Sequence, residues 1–266
     1  MDFTGKIALV TGAGGGIGRA TSLGFARAGA RLVLVDRDQA AGEATLGAIR
    51  QQGGEGKFVA ADVTRSAEVA NYVKAALDAY GRIDCFFNNA GIEGKVAHTA
   101  QMDEADFDAV IAVNVKGVFL GLRHVLPVML RQKAGAVVNT ASVAGIVGTP
   151  GMAAYAASKH AVIGLTKVAA GEVARDGVRV NAVCPGPIDT RMIHSLENQI
   201  DPANPDSVGE RYQRAIPAGR YGTAEEIANV VLFLCSDEAA YVTGAQWVVD
   251  GARTAVGGAV TTIAKR

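Results

Sequence analysis

A tyrosine and a lysine four positions apart, Tyr155 and Lys159, are the residues of this sequence best suited to acid–base chemistry. On a helix, positions i and i+4 share a face, so the phenol and the ammonium can point at one site. A phenol is a poor base at neutral pH, and a neighbouring cation favours its ionised form. The pair predicts a group that exchanges a proton with an alcohol or ketone. An ordinary surface pair on a helix would show the same spacing.

Ser142 lies shortly before this pair, just beyond the end of the predicted strand Ala136–Thr140. The carboxyl ends of the strands in open α/β sheets are where ligands bind. The Ser142 hydroxyl is therefore expected to polarise the oxygen of a substrate that Tyr155 protonates or deprotonates.

A glycine-rich turn follows the first predicted strand and opens a helix. Its candidate binding residues are Gly12, Gly14, Gly16, Ile17 and Gly18. Such a turn lets backbone amides approach a pyrophosphate at the positive end of the helix. The G-x-G-x-x-G fingerprint is absent, and the glycines instead follow the pattern G-x-x-x-G-x-G. A purely structural turn would also use glycine.

Asp36 ends the second predicted strand and gives the turn a specific meaning. In dinucleotide-binding folds an acidic residue at this strand end binds the ribose hydroxyls. Its carboxylate would repel a 2′-phosphate, which favours NAD over NADP. Arg37 follows directly and could bind that phosphate, so NADP stays open.

Short apolar runs that alternate with helical patterns must position these residues. The predicted strands are 7–11, 31–36, 58–61, 83–88, 136–140, 178–184 and 246–250, and the predicted helices are 17–29, 39–52, 66–79, 104–132, 152–175 and 223–235. This alternation indicates a doubly wound α/β sheet, and no linker divides residues 1–266 into separate domains. Residues 190–221 lack clear periodicity and are interpreted as a lid over the pocket, with an ordinary surface connection as the alternative.

Composition excludes several classes of protein. The 26 basic and 26 acidic residues give no net charge, which argues against nucleic-acid binding. Three cysteines without a CxxC pair indicate a reduced, cytoplasmic chain, and no histidine has zinc-site spacing. Residues 134–158 carry no charge, but their polar residues and glycines favour a strand, a loop and a buried helix start over a membrane span. We therefore expect neither a membrane segment nor a metal site.

Taken together, the motifs resemble those of the short-chain dehydrogenase/reductase family over essentially the whole chain. The matching motifs, in the family's order, are Thr11–Gly18, Asp62-Val63, Asn88-Asn89-Ala90-Gly91, Asn114, Ser142, Tyr155 with Lys159, and Pro185-Gly186. The resemblance implies a single-domain Rossmann fold with a seven-stranded parallel sheet in the order 3-2-1-4-5-6-7. It also implies an NAD(H)-dependent oxidoreductase that interconverts a secondary alcohol and a ketone.

The resemblance further assigns a role to each matching position. Asp62 and Val63 would bind the adenine, and Asn88, Asn89, Ala90 and Gly91 would lie on the ribose side. Asn114 would hold, through its helix backbone, a water that connects Lys159 to solvent. Ser142 would orient the substrate and Tyr155 would be the acid/base, while Lys159 would bind the nicotinamide ribose and lower the tyrosine pKa. Pro185, Gly186, Ile188 and Thr190 would contact the nicotinamide and its carboxamide or phosphate.

The substrate is expected to be a small, mostly apolar alcohol or ketone. Candidate contacts are Glu93, Val143, Met152, Pro187 and Met192, together with the apolar Ile92, Ile146, Val147, Pro150 and Ile193. The run Ile92–Lys95 resembles family members that act on cyclic ketones and diols. An NADPH-dependent 3-oxoacyl carrier-protein reductase is the closest alternative, and a non-catalytic nucleotide-sensing regulator is the alternative of another class.

The resemblance also implies a homotetramer in which helices 104–132 and 152–175 pack between subunits. Small residues that would permit close packing there are Gly117, Gly121, Ala157 and Gly164. The chain departs from the family at Asp250–Arg253, where two glycines are more usual than Gly251-Ala252. An uncharged tail, residues 254–264, is expected to pack on a neighbouring subunit.

Overall fold

Seven parallel strands form the centre of the computed structural model, which describes residues 1–256. The strands are β1 (Ile7–Thr11), β2 (Arg31–Asp36), β3 (Gly56–Ala60), β4 (Cys85–Asn88), β5 (Gly135–Thr140), β6 (Val178–Pro185) and β7 (Gln246–Val249). Their order is β3-β2-β1-β4-β5-β6-β7, which confirms the predicted sheet. Most of the tail predicted to pack on another subunit lies outside the described residues.

The central strands are apolar throughout because both faces of the sheet are covered. Every residue of β1 is buried. Its Leu9 packs with Phe86 on the face covered by α3, α5 and α6, and its Val10 packs with Phe87 on the face covered by α1, α2 and α9. These helices are α1 (Gly16–Arg27), α2 (Gln39–Gln51), α3 (Ser66–Tyr80), α4 (Glu104–Ile111), α5 (Gly117–Gln132), α6 (Ala153–Val173), α7 (Arg191–Ile200), α8 (Pro205–Arg214) and α9 (Ala224–Cys235).

The segment interpreted as irregular, residues 190–221, contains the two helices α7 and α8. The prolines of this segment lie in turns outside the helices or at the start of α8, so they do not prevent helix formation. Asn204 caps α8 by accepting a hydrogen bond from the Ser207 amide, and Pro205 occupies the first turn, where a missing N–H costs nothing. In α7, Ile193 and Leu196 are buried, which anchors one face of that helix.

The longest helical stretch runs through α4 and α5 and is joined by a π-helical turn, Ala112–Lys116. Glu104–Gln132 is long and apolar enough to cross a membrane by length and composition alone, a test that core helices also meet. The predicted intersubunit roles of Gly117 and Gly121 are wrong. A Cβ on Gly117 would meet Val63, and one on Gly121 would meet Asn88, so both glycines face the chain's own sheet. Ala157 and Gly164 are exposed, and their packing against another subunit stays a prediction.

The order of the strands reverses between β1 and β4, and this fixes where a site can form. Connections from neighbouring strands leave in opposite directions there, which opens a crevice at the carboxyl ends. The turn after β1, the loop after β4, and the residues after β5 and β6 meet at this edge. The uncharged residues 134–158 form β5, a loop and the start of α6, as predicted.

Candidate active site

A cavity of about 840 Å³ follows the carboxyl ends of the strands. Among the predicted site residues, those that line it are Gly12, Gly14, Gly16, Ile17, Asp36, Arg37, Asp62, Val63, Asn89, Ala90, Gly91, Glu93, Ser142, Val143, Met152, Tyr155, Lys159, Pro185, Gly186, Pro187, Ile188, Thr190 and Met192. Gly18 and Asn114 lie behind its wall. The fold therefore brings residues from along the whole sequence to one continuous cavity.

The glycine turn presents bare backbone to this cavity. Gly12 and Gly16 have φ values of +65° and +49°, in the left-handed region that favours glycine. Helix α1 starts at Gly16 with Gly15 as N-cap, no side-chain cap and no acidic residue in its first turn. Its amides are therefore available to an anion, and the cradle fits a pyrophosphate. Gly18 instead packs against the carbonyl of Gly12, so its place is structural.

Asp36 closes the far end of the glycine turn. Its Oδ2 accepts a hydrogen bond from the Gly14 amide at 2.8 Å, and its Oδ1 accepts one from the Asp38 amide at 3.0 Å. A Cβ on Gly14 would lie only 2.9 Å from Asp36 Oδ2, which explains why that position needs glycine. The carboxylate is thus held at the cavity wall beside Arg37, where an adenosine ribose would lie.

Thr11 and Asn89 lock the glycine turn to the loop after β4. Thr11 Oγ1 accepts hydrogen bonds from the amides of Asn89 (2.9 Å) and Ala90 (3.1 Å). The Asn89 side chain donates to Thr11 O at 3.0 Å and accepts from Thr140 Oγ1 at 3.1 Å. Three strand ends are therefore cross-linked. The buried Thr11 was not among the predicted binding residues, because its position beside the glycines gave no separate signal.

Ser142, Tyr155 and Lys159 meet at the middle of the cavity, as predicted. Lys159 is buried at the first turns of α6; its Nζ donates to Thr140 O at 2.8 Å and lies 5.4 Å from the centre of the Tyr155 ring. Ser142 Oγ accepts a hydrogen bond from the Ala144 amide at 3.1 Å. The hydroxyl, the phenol and the ammonium are arranged to act on one substrate oxygen and one ribose.

Burial dominates the electrostatics of this group. The pKa of Tyr155 is raised to about 12: burial is the main cause, a hydrogen bond with Ser142 acts in the opposite direction, and the charge of Glu93 adds to the rise. Burial also lowers the pKa of Lys159 to about 8. The chain alone therefore does not produce the predicted lowering of the Tyr155 pKa.

Asn114 lies behind the cavity wall and supports it without lining the cavity. Its Nδ2 donates to Ile92 O at 2.9 Å and to Ser158 Oγ at 3.1 Å, and its Oδ1 accepts from the Ile92 amide at 2.9 Å. It lies in the π-helical turn, whose irregular hydrogen bonding is typical of functional sites. The side chain thus fixes the loop after β4, and only its backbone is left for the predicted water.

The Asn88 side chain is directed away from the cavity. It donates to Val118 O at 3.0 Å and to Asn139 Oδ1 at 3.1 Å. The expectation that it lies on the ribose side is therefore wrong, and only the following residues reach that wall. Alternation along β4 explains the difference, since successive side chains point to opposite faces.

Glu93 is paired across the cavity with a residue that the sequence did not single out, Arg191. Arg191 Nη1 lies 2.9 Å from Glu93 Oε1, and Nη2 lies 3.3 Å from Oε2. Burial is the largest single influence on Glu93 and opposes its ionisation, but hydrogen bonds from Arg191, a backbone amide and Ser195, together with the Arg191 charge, jointly outweigh it and lower the pKa. No sequence signal links two residues 98 positions apart.

The substrate end of the cavity is apolar and is covered by α7 and α8. Further residues that line it are Ile92, Val147, Pro150, Ile193, Leu196, Tyr212 and Arg253, of which the last three were not predicted. Ile146 packs against the core instead. Among residues 1–256, no group of three His, Cys, Asp or Glu side chains could hold a metal ion.

This fold and site define a class of protein, the Rossmann-type oxidoreductases. Residues 12–253 match a family model described as enoyl-(acyl carrier protein) reductase. The chain is 46% identical to levodione reductase of Leifsonia aquatica, covering 95% of this chain and 96% of that protein. It is 43% identical to a 3-oxoacyl-(acyl-carrier-protein) reductase of Thermotoga maritima (94% and 98%) and 39% identical to cyclohexanol dehydrogenase of an Acinetobacter species (95% and 96%).

Solved structures agree with these relatives. The crystal structure of levodione reductase has a TM-score of 0.95 at 46% identity, covering 96% of this chain and all of that one. NAD⁺-bound xylitol dehydrogenase has a TM-score of 0.90 at 37% identity, covering 94% of this chain and all of that one. The chain belongs to the short-chain dehydrogenase/reductase family.

Proposed function

We propose that the protein is an NAD(H)-dependent oxidoreductase that interconverts a secondary alcohol and a ketone. The observation that carries this proposal is the single cavity in which Ser142, Tyr155 and Lys159 lie beside an uncapped, glycine-lined helix N-terminus. NAD⁺, when bound, supplies the hydride acceptor. The chain supplies the proton transfer, the orientation of the reactants and the exclusion of water.

The cofactor would lie along the strand ends. The α1 amides would bind the pyrophosphate, and Asp36 the adenosine ribose. Asp62 and Val63 would contact the adenine, and Lys159 the nicotinamide ribose. The remaining proposed contacts are Arg37, Asn89, Ala90, Gly91, Pro185, Gly186, Ile188 and Thr190, all of which line the cavity.

Tyr155 acts as the acid and base in this proposal, and Ser142 holds the substrate oxygen. Because the pKa of Tyr155 is about 12 in the chain alone, the positive charge of the bound cofactor must favour its ionised form. Lys159, with a pKa of about 8, can pass a proton onward at neutral pH. Asn114 is a positioning residue that shapes the π-helical turn, whose backbone would hold a relay water.

The substrate is proposed to be a cyclic alcohol or ketone. Val143, Met152, Pro187 and Met192 form apolar walls beside Tyr155, and Glu93 adds one polar group. The relatives named levodione reductase and cyclohexanol dehydrogenase support this choice.

Helices α7 and α8, residues 191–214, are proposed to act as a lid on a single domain formed by residues 1–266. They cover the apolar end of the cavity, and few links join them to its opposite wall. The strongest is the ion pair between Arg191 and Glu93; a weaker one is the hydrogen bond from the Val96 amide to Gln199 Oε1 at 2.9 Å. A closed lid would exclude water from the reacting groups.

A cytoplasmic homotetramer completes the proposal. The outer faces of α5 and α6 expose Phe119 (44%) and Val168 (61%), and a subunit interface on these helices would bury both side chains. Three unpaired, buried cysteines fit a reducing compartment. Light scattering in solution tests the assembly; a monomer at micromolar concentration would contradict it.

The first experiment measures NADH formation, by its near-ultraviolet absorbance, from NAD⁺ and a panel of cyclic and aliphatic secondary alcohols. Wild-type protein should turn over at least one cyclic alcohol, and Tyr155→Phe should lose turnover by about 10³-fold while it retains NADH binding. Tyr241→Phe, at a fully exposed position, is the matched control. NADH binding without turnover of any alcohol would favour the nucleotide-sensing regulator.

An NADPH-dependent 3-oxoacyl carrier-protein reductase is the second candidate, supported by the Thermotoga maritima relative and by Arg37 beside Asp36. The variant Asp36→Ala tests whether Asp36 selects NAD⁺ over NADP⁺. It should raise kcat/KM with NADP⁺ by about tenfold and lower it with NAD⁺, because the repulsive carboxylate is removed. Unchanged discrimination would show that Asp36 does not select the cofactor.

A further inference from the structure

The turn after β7, residues 250–254, is strained and tightly fixed. Ala252 has a φ of +70°, a left-handed conformation that an alanine adopts at a cost. Asp250 Oδ2 accepts hydrogen bonds from the Thr254 amide at 2.7 Å and the Thr254 hydroxyl at 2.6 Å, and the Arg253 amide donates to Asp250 O at 3.2 Å. This is where the sequence departs from the family's usual glycines. These hydrogen bonds fix the backbone on both sides of Arg253.

Arg253 is placed at the substrate end of the cavity. Its side chain is partly buried and lines the same cavity as Tyr155. The guanidinium carbon lies 5.6 Å from the centre of the Tyr212 ring on α8. Tyr212 packs in a cluster that also contains Tyr155 and Met152. Arg253 thus faces the space beyond the catalytic tyrosine and not the adenine end.

The charges that line this end do not balance. Glu93 is paired with Arg191, and Lys159 donates to Thr140 O. Within the described part of the chain, the Arg253 guanidinium has no carboxylate within 4.0 Å and no hydrogen-bond acceptor. The other carboxylates that line the cavity, Asp36, Asp38 and Asp62, are on the adenosine side. A guanidinium at the cavity wall without a carboxylate partner is suited to bind an anion.

We propose that Arg253 binds an anionic group of the substrate, a carboxylate or another oxyanion, at the end remote from the reacting carbonyl. The contact with the Tyr212 ring uses no N–H group as a hydrogen-bond donor to an acceptor atom, so the N–H fork of the guanidinium remains for a bidentate contact with an oxyanion. The apolar walls between Arg253 and Tyr155 would hold the carbon skeleton. The inference rests on the proposed function and names the substrate class for it: ketones and secondary alcohols that carry an acid group.

The test compares 4-oxocyclohexanecarboxylate with its amide, which has nearly the same shape and no charge. With NADH, wild-type protein should prefer the acid in kcat/KM, and Arg253→Gln should lower the acid-to-amide ratio by about 10- to 100-fold. Arg253→Lys keeps the charge and should retain part of the preference. Arg211→Gln removes a neighbouring exposed arginine of α8 that does not line the cavity and is the matched control.

Each outcome separates this inference from the proposed function. Turnover of the amide without an acid preference would overturn the role of Arg253 and leave the reaction standing, as would an equal loss for both substrates in Arg253→Gln. If neither ketone is reduced, binding of the acid to the NADH complex tests the anion site instead. Protection of the NADH complex against heat by the acid, lost in Arg253→Gln but kept in Arg211→Gln, supports the anion site. The anion site is overturned if the acid protects the NADH complex equally well in wild type and in Arg253→Gln. It is also overturned if the sole effect of Arg253→Gln is a weaker affinity for NADH.

Discussion

The two sides of the cavity are held in different ways. On the strand side, Thr11, Asn89 and Thr140 are joined by hydrogen bonds that include backbone groups, and the strands beneath them are buried. The proposed lid is held mainly through side chains: Ile193 and Leu196 pack with Met152, and the polar links to the opposite wall are the Arg191–Glu93 ion pair and the hydrogen bond from the Val96 amide to Gln199. We therefore expect the strand side to hold the cofactor in fixed geometry and the lid to be the side that opens.

The lid has one buried polar centre that supports its shape. Glu197 is buried on α7, where its Oε2 lies 2.7 Å from His194 Nδ1 and its Oε1 accepts a hydrogen bond from the Tyr221 hydroxyl at 2.6 Å. His194 Nε2 lies 2.9 Å from Asp189 Oδ1. His194 does not line the cavity, so we expect it to affect the site only through the lid.

The largest expected effect concerns the strand side. Lys159→Met should lower turnover by at least about 100-fold and yet stabilise the free protein by about 2 kcal/mol at neutral pH. Burial lowers the Lys159 pKa from 10.5 to about 8, worth roughly 3 kcal/mol, and loss of the hydrogen bond to Thr140 O offsets about 1 kcal/mol. Urea unfolding of wild type and Lys159→Met, with and without NADH, measures the stability of the free protein and of the NADH complex.

The sign of this effect depends on pH. Between the folded pKa of about 8 and the unfolded value of 10.5, the unfolded chain binds more protons, so wild-type stability rises with pH. The advantage of Lys159→Met should therefore be constant below pH 8 and shrink above it. A variant that is less stable than wild type at neutral pH would show that the ammonium is not buried at a cost.

The second prediction concerns the link between the two sides. Arg191→Gln should lower kcat/KM by about tenfold, mainly through KM, because the Glu93 carboxylate then lacks its partner in a closed lid. The effect is limited because the Arg191 side chain is 75% exposed. Glu93→Gln added to Arg191→Gln should recover part of the loss in a double-mutant cycle.

Arg214→Gln is the control for this cycle, since it breaks an exposed pair with Glu210 on α8 at 3.3 Å. It should leave KM unchanged. Equal effects of Arg191→Gln and Arg214→Gln, or strictly additive effects of Glu93→Gln and Arg191→Gln, would mean that the cross-cavity pair does not connect the lid to the opposite wall.

The smallest effect is a pH dependence within the lid. Hydrogen bonds with Glu197 and then Asp189 raise the pKa of His194. The charged pairs are complete below the unfolded pKa of 6.5 and are lost as pH rises through the raised folded value. We expect the substrate KM to rise about two- to threefold over this range.

His194→Gln should remove that pH dependence, while His160→Gln, at an exposed position on α6, should retain it. The measurement is KM against pH for the three proteins with one alcohol. A wild-type KM that is flat across neutral pH, or an unchanged profile in His194→Gln, would contradict a role for this histidine in closing the lid.

Most of the strand side of the protein is predictable from the amino-acid sequence. Apolar runs and helical periodicity placed all seven strands, and local motifs placed Gly12, Asp36, Ser142, Tyr155 and Lys159 at one edge of the sheet. These features are predictable because they depend on residues close together in the chain and on the direction of parallel strands.

The lid side depends on contacts between residues that are far apart in the chain. Arg191 meets Glu93 from 98 positions away, and Arg253 reaches Tyr212 through a strained turn at Ala252. Which glycines face the sheet, and where the Asn88 side chain points, also depended on packing between elements. Pairs of this kind leave no local pattern, because their partners come from separate elements that the fold alone brings together.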